Sequence, residues 1–242
     1  MRRRSRRTIA LMVAVGALLL AACGGDGADG DVTPEPTASG AIAISVPAEG
    51  AAVTVPFEVS GDANVFEAAL VLQALDPAGT VLCERRVQAT SGTGTPGTWS
   101  TTLAFTPPAA DEAVTLKAFS RSARDGAEEN VVTRAVTVSA ELPAIVIEAP
   151  ACGGTISQST IEVSGTASVF EGSLLVELRE GSGAVLASKT AQTVGAPERG
   201  PWQASFNVPS LPAGAYEAVA YAISAKDGTA ENVFAVPFFK AQ

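Results

Sequence analysis

The 242-residue chain contains no histidine. That removes the usual general base at neutral pH and the commonest metal ligand, so Ser/His/Asp and Cys/His catalytic arrangements are excluded. Cysteine is nearly as scarce: Cys23, Cys83 and Cys152 are the whole complement, and they show none of the paired spacings that hold structural zinc. No Walker-type Gly-rich loop occurs: Gly92 to Gly97 (GTGTPG) lacks the Lys-Ser/Thr that would hold phosphate and magnesium. Two tryptophans and two tyrosines besides the phenylalanines leave few aromatic faces for stacking a sugar. No segment has the periodicity of a convincing amphipathic helix.

What is present begins with a processing signal. Arg2, Arg3, Arg4, Arg6 and Arg7 form a positive block, and an apolar run from Ile9 to Leu20 follows it. The run is too short to remain as a membrane-spanning helix. It ends in Leu20-Ala21-Ala22-Cys23, which resembles the bacterial lipoprotein signal, where a small residue precedes a cysteine that is acylated and becomes the first residue of the mature protein. Residues 1–22 are therefore expected to be removed, and Cys23 to carry the lipid. Ser5-Arg6-Arg7 also resembles part of a twin-arginine export signal, although five arginines in six positions produce such a pair easily. Removing residues 1–22 takes five arginines and no acid from a total of 16 basic and 25 acidic residues, a net charge of −14 for what remains. Such a surface repels nucleic acid and anionic headgroups, so neither is an expected partner.

Residues 24–40 hold almost no large apolar side chain, so burial cannot offset the entropy of ordering them, and 23–40 is expected to be a disordered tether. Its root-mean-square span of about 20 to 25 Å would lift the next domain off a membrane. The rest repeats with an offset near 103 residues. Glu58-Val59-Ser60-Gly61 recurs as Glu162-Val163-Ser164-Gly165, and Val65-Phe66-Glu67 as Val169-Phe170-Glu171. Ser122-Ala123-Arg124-Asp125-Gly126 returns as Ser224-Ala225-Lys226-Asp227-Gly228, and Trp99 corresponds to Trp202. Matches in the same order indicate duplication. The chain should hold one domain over 41–139 and another over 145–240, with Leu142-Pro143 in the linker.

Within each half the apolar period is two. Leu174, Val176 and Leu178 alternate with Ser173, Glu177 and Arg179, and Val114, Leu116 and Ala118 alternate with Thr115 and Lys117. One face should meet a core and the other water, in antiparallel sheets. Asp76-Pro77-Ala78-Gly79 and Glu180-Gly181-Ser182-Gly183 mark turns between such runs. The expected fold is all-β, two tandem immunoglobulin-like antiparallel β-sandwiches of about seven strands each. Trp99 and Trp202 are expected as core or rim anchors. Cys83 and Cys152 lie in different halves, in a compartment where disulfides persist, and both a bridge and two separate thiols are open.

At Val59-x-Gly61-x-Ala63-x-x-Phe66-Glu67 and Ser122 to Gly126, with second copies at Val163 to Glu171 and Ser224 to Gly228, the chain resembles the immunoglobulin-like domain associated with bacterial spore germination proteins. The resemblance spans residues 41–240 as two copies. In that family the domain is an accessory sandwich, often in lipoproteins beside a separate germination-associated module. It implies the sandwich fold and a surface-attached binding role, and brings no catalytic residue with it.

Carboxylates are the remaining chemical candidates. Asp125, Glu128, Glu129 and Asn130 cluster after a predicted strand, as do Asp227, Glu231 and Asn232, so oxygen ligands for calcium could converge there. Turn chemistry explains the same residues more simply, with Gly left-handed and Asp or Asn bonding local amides. Glu67 and Glu171 each follow a Phe at a strand entrance. Beside an apolar anchor such a carboxylate is either a buried acid of raised pKa or a solvent-side group that fixes a loop. Two copies in separate domains favour the second, since a duplicated catalytic acid would be redundant and no cleft with facing carboxyl pairs is indicated. The expected protein is thus not an enzyme and needs no cofactor. It is held to the cell membrane on the extracytoplasmic side by its acyl anchor, and presents loops or sheet edges to a protein or cell-wall partner. Glycan recognition is the alternative, and a carboxylate-dependent envelope hydrolase a weaker third.

Overall fold

The computed structural model describes residues 41–242; the leader, Cys23 and the tether expected on residues 1–40 lie outside them. No helix among the described residues is long and apolar enough to cross a membrane. The first half contributes β1 (Ile42–Val46), β2 (Ala52–Val53), β3 (Phe57–Ala63), β4 (Ala69–Leu75), β5 (Val81–Gln88), β6 (Gly97–Leu103), β7 (Glu112–Arg121) and β8 (Glu128–Val138). The second contributes β9 (Ile145–Ala149), β10 (Gly154–Ile156), β11 (Thr160–Ala167), β12 (Ser173–Glu180), β13 (Val185–Gln192), β14 (Gly200–Asn207), β15 (Gly214–Ile223) and β16 (Ala230–Lys240). Sheet β1-β3-β6 faces sheet β2-β8-β7-β4-β5, and β9-β11-β14 faces β10-β16-β15-β12-β13. The two immunoglobulin-like sandwiches therefore share one topology.

Alternation places the cores as expected: Val114, Leu116 and Ala118 are buried on β7, and Leu174, Val176 and Leu178 on β12. Trp99 and Trp202 are buried too, with the Trp99 indole N–H donating to the Asp62 carbonyl at 3.1 Å. One feature adds to the expected count of about seven strands, and one expectation needs correction. Each half holds an eighth, short strand, and β2 and β10 run parallel to β8 and β16. The chain leaves the small sheet after β1 or β9 and crosses to the edge of the large one, arriving in the direction of the last strand; segments of two and three residues carry no legible period. Glu177, expected on the solvent face of β12, is buried. Its carboxylate accepts from Arg179 Nε at 2.8 Å and from the Tyr221 hydroxyl at 2.7 Å, which satisfies the charge that burial would otherwise penalise.

The repeated Ser-Gly of β3 and β11 has a steric cause. The register of β1 on β3 shifts between Ile44 and Val46, and that of β9 on β11 shifts at Gly165. At these bulges a Cβ on Gly61 would stand 1.9 Å from the Ala43 carbonyl oxygen, and one on Gly165 1.9 Å from that of Val146. Only a residue without a side chain fits.

Both sandwiches fall within one compact unit, and β5 joins them. Cys83 on β5 is bonded to Cys152 in the turn before β10, with 4.7 Å between Cα atoms, so the structure closes the bridge that the sequence left open. Next to it Gly153 packs so tightly that a Cβ would lie 2.8 Å from the Glu84 carbonyl oxygen. Arg85 pairs with Glu217 of β15, and the Arg86 guanidinium lies 4.4 Å from the centre of the Phe239 ring on β16. The matching positions of the other copy are Ala187, Lys189 and Thr190 for Cys83, Arg85 and Arg86, and Glu49, Thr115 and Thr137 for Cys152, Glu217 and Phe239. Residues that make the junction thus differ between copies that otherwise share motifs.

Candidate functional site

The most unusual local geometry recurs in both sandwiches, on the loop that leads into β4 and its counterpart before β12. Val65 is buried and fixes the start of the turn, whereas Phe66 after it is 59% exposed; Val169 and Phe170 repeat this, with Phe170 77% exposed. The next residue is left-handed in each copy, Glu67 at φ 53° and Glu171 at φ 56°, followed by Ala68 at 55° and Gly172 at 66°. Left-handed geometry is costly for a residue with a Cβ and persists only where its surroundings over-determine it.

Hydrogen bonds supply that constraint. The Ala68 amide donates to the Val65 carbonyl at 3.1 Å and the Ala89 amide to that of Ala68 at 2.8 Å; Gly172 to Val169 at 3.0 Å and Thr193 to Gly172 at 2.7 Å repeat the pattern. In the first copy the Glu67 amide donates to Thr93 Oγ1 at 3.0 Å, and the Gln88 side-chain amide donates to the Glu67 carbonyl. The backbone is held from both sides while the Phe ring and the Glu carboxylate stand in solvent. The expectation of an apolar anchor at Phe66 and Phe170 is corrected: the valine before each one anchors, because a reversal within two residues turns the next side chain outward. Glu67 and Glu171 are exposed.

A cleft lies beside each loop, between it and the hairpin that joins β7 to β8 or β15 to β16. The first, of about 550 Å³, is lined by Phe66, Glu67, Val71, Gln88, Arg86 and Arg121 among others. The second, of about 310 Å³, is lined by Phe170, Glu171, Leu175, Thr190, Ile223 and Ser224 among others. Two of the sequence-level repeats, Val-Phe-Glu and the Ser-Ala that opens each hairpin, thus meet at equivalent places in both halves.

The remaining hairpin residues do backbone work. Asp125 Oδ1 accepts from the Ala127 amide at 3.2 Å, and Asp227 Oδ1 from the Thr229 amide at 3.1 Å and hydroxyl at 2.7 Å. The Ala127 amide chiefly holds the Asp125 carboxyl below its ordinary range, and the Thr229 hydroxyl and amide do so for Asp227. Asn130 and Asn232 sit at φ 57° and 56°, at the bulges where β8 and β16 shift register against β7 and β15. Asn130 Nδ2 also donates to Ser120 Oγ at 2.9 Å, and Glu128 takes Lys117 in an ion pair. Glu129 and Glu231 are exposed. Among the described residues no group of three or more His, Cys, Asp or Glu side chains is placed to hold a metal ion; Asp125 and Asp227 bond the turn amides, and Asn130 and Asn232 occupy the bulges.

Sequence reasoning missed the outward Phe66 and Phe170 and the two arginines of the first cleft. The Val-Phe-Glu repeat was a signal for the loop, since an outward aromatic kept in both copies is not accounted for by the core. Arg86 and Arg121 gave none: they come from β5 and β7, which become neighbours only through β4.

The model of the immunoglobulin-like domain of bacterial spore germination matches residues 41–127 and again 144–229. No curated protein matches the chain. Among solved structures, a biofilm-associated protein BSP domain is 20% identical over 83% of this chain and 29% of its own, with a TM-score of 0.26. A marsupial T cell receptor is 14% identical over 79% of this chain and 71% of its own, at 0.26. The titin domains z1z2 in complex with telethonin are 11% identical over 82% and 94%, at 0.22. The chain thus spans under a third of the first of these structures.

Proposed function

From the premise that this chain belongs to the family of the immunoglobulin-like domain of bacterial spore germination, which it carries twice, we propose that it is a non-catalytic binding lipoprotein of the bacterial cell surface. Cys23 bears the acyl anchor, and the two sandwiches present their Phe66 and Phe170 loops to a protein or cell-wall partner of the envelope. The observation that carries this reading is the pair of solvent-facing phenylalanines on backbone held left-handed in both copies. A core explains neither the exposure nor the strain, whereas a rigid aromatic tip is a typical interface anchor.

Glycan stacking and carboxylate hydrolysis have less support. Both tryptophans are buried, so neither offers a platform, and Glu67 and Glu171 stand singly in separate sandwiches rather than facing each other.

Two measurements test the proposal. Mass spectrometry of the membrane fraction should find Cys23 acylated, and Cys23→Ala should release the protein to the soluble fraction; an unmodified Cys23 sinks the anchor. Retention of the protein on isolated envelopes should fall about tenfold in Phe66→Ala or Phe170→Ala and by roughly the product in the double variant, because two linked contacts multiply. Equal retention of the double variant would remove the binding role from these loops.

A further inference from the structure

The two clefts share a frame but differ in charge, and the difference points to a ligand. In the first, Arg86 from β5 and Arg121 from β7 line the same wall. At the matching positions of the second stand Thr190 and Ile223. The guanidinium of Arg86 lies 4.4 Å from the Phe239 ring centre and that of Arg121 5.1 Å from the Phe119 ring centre. Contact of this kind holds the cation against an aromatic while leaving N–H groups at its rim free to donate.

Neither arginine has a carboxylate partner among the described residues. The ion pairs there use Arg85, Lys117, Arg124, Arg134 and Arg179. Glu84, on the outward face of β5, accepts from Gln73 Nε2 at 2.7 Å, and Glu67 stands exposed at the cleft rim. Arg121 and Arg86, the latter bordering also the neighbouring cavity beside Phe239, line this cleft without an ion-pair partner, a local exception on a chain of net charge −9. Around them the wall is apolar, with Phe66, Leu70, Val71 and Val87.

We propose, resting on the binding role of the Phe66 loop, that the first sandwich recognises an acidic-apolar peptide segment of a partner protein. One carboxylate of the segment is shared by Arg86 and Arg121, and a neighbouring apolar side chain packs against Phe66. Guanidinium groups suit a carboxylate through paired N–H donors. The net negative charge of the chain disfavours a polyanion such as a phosphate polymer, since every further negative charge is repelled, whereas a single carboxylate set between the arginines has one acid of the lining, Glu67, to avoid. The second cleft, without cations, does not share this preference.

The test uses N-acetyl-L-phenylalanine as a probe that carries one carboxylate and one aromatic ring, titrated into the full chain in neutral detergent and followed by NMR. Resonances around Phe66, Val71, Arg86 and Arg121 should shift, while those around Phe170, Thr190 and Ile223 shift far less. The uncharged N-acetyl-L-phenylalanine amide should bind about tenfold more weakly. Arg121→Gln, at an exposed position, should give the same loss with unchanged thermal melting, and Arg86→Gln should repeat it if its melting is also unchanged. No shift, equal shifts in both sandwiches, or equal affinity for acid and amide would overturn the proposal; so would tighter binding of inorganic phosphate at the same residues, which would make the partner a phosphate polymer. Envelope retention that depends on Phe66 and Phe170 but not on Arg86 or Arg121 would leave the binding role standing and remove only this ligand. Retention independent of all four would remove both.

Discussion

Single residues explain most of the motifs that repeat between the halves. Gly61 and Gly165 recur because the neighbouring carbonyl oxygen occupies the space of a Cβ. Gly61→Ala or Gly165→Ala should therefore cost about 3 kcal/mol in chemical denaturation, as overpacking against a fixed backbone does. Asp76, Asp125 and Asp227 should show themselves in the acid limb of stability. Local amides and hydroxyls hold all three carboxyls below the ordinary value of 3.8, so the folded state binds protons less readily than the unfolded. Their contribution is complete above that value and is lost as pH falls through the lowered folded values. Asp→Asn at these positions should flatten the acid limb of a pH-denaturation series.

Tyr221 acts at the opposite end of the scale. Burial first, and then the Glu177 carboxylate that it donates to, pushes its hydroxyl above the ordinary 10.0. The unfolded tyrosine thus ionises before the folded one, and stability should fall as pH rises past about 10. Tyr221→Phe should remove that alkaline slope and cost about 1 to 3 kcal/mol at neutral pH, because buried Glu177 loses a donor; an unchanged alkaline limb would show that another group sets it.

At the scale of elements, the seven longer strands of each half were legible because one buried face imposes a period of two. Val114, Leu116 and Ala118 needed only that rule. The rest escaped for definable reasons. β2 and β10 span two and three residues and show no alternation. Glu177 broke the polar-out rule because its partner Tyr221 comes from a different strand, β15. Phe66 and Phe170 entered the sequence reading only as apolar anchors beside Glu67 and Glu171, and only the two left-handed residues that follow each of them reveal the reversal. Of the candidate site, the loop sequence was visible as a repeat, but its exposure and its cationic neighbours depend on which strands pair. Phe66→Ala and Phe170→Ala should accordingly change unfolding free energy by no more than about 0.5 kcal/mol, as exposed substitutions do. A larger loss measured by denaturation would return these residues to a structural role.

At the scale of the whole molecule, the junction on β5 decides how the two clefts are held relative to each other. The Cys83–Cys152 bond closes a loop of 69 residues, for which chain entropy predicts a stabilisation of about 4 kcal/mol. Reduction, or Cys83→Ser with Cys152→Ser, should lower stability by roughly that amount and widen the distribution of distances between labels placed on the two sandwiches. Gly153→Ala should disturb the same junction through its contact with Glu84, without touching either cleft. If the label distances stay as narrow after reduction as before it, the Arg85–Glu217 pair and the Arg86–Phe239 contact suffice to fix the junction.

The same covalent link changes what happens when the molecule is pulled from its ends. Chain lying between the bonded cysteines cannot pay out while the sulfurs remain joined, so roughly 230 Å of contour length, at about 3.4 Å per residue, is withheld from extension. Oxidised molecules stretched singly should lengthen by that much less than reduced ones. A protein tethered to one surface and loaded by a partner at its tips would in this way resist shear with most of its fifth strand and all of its sixth to ninth strands locked behind a single bond.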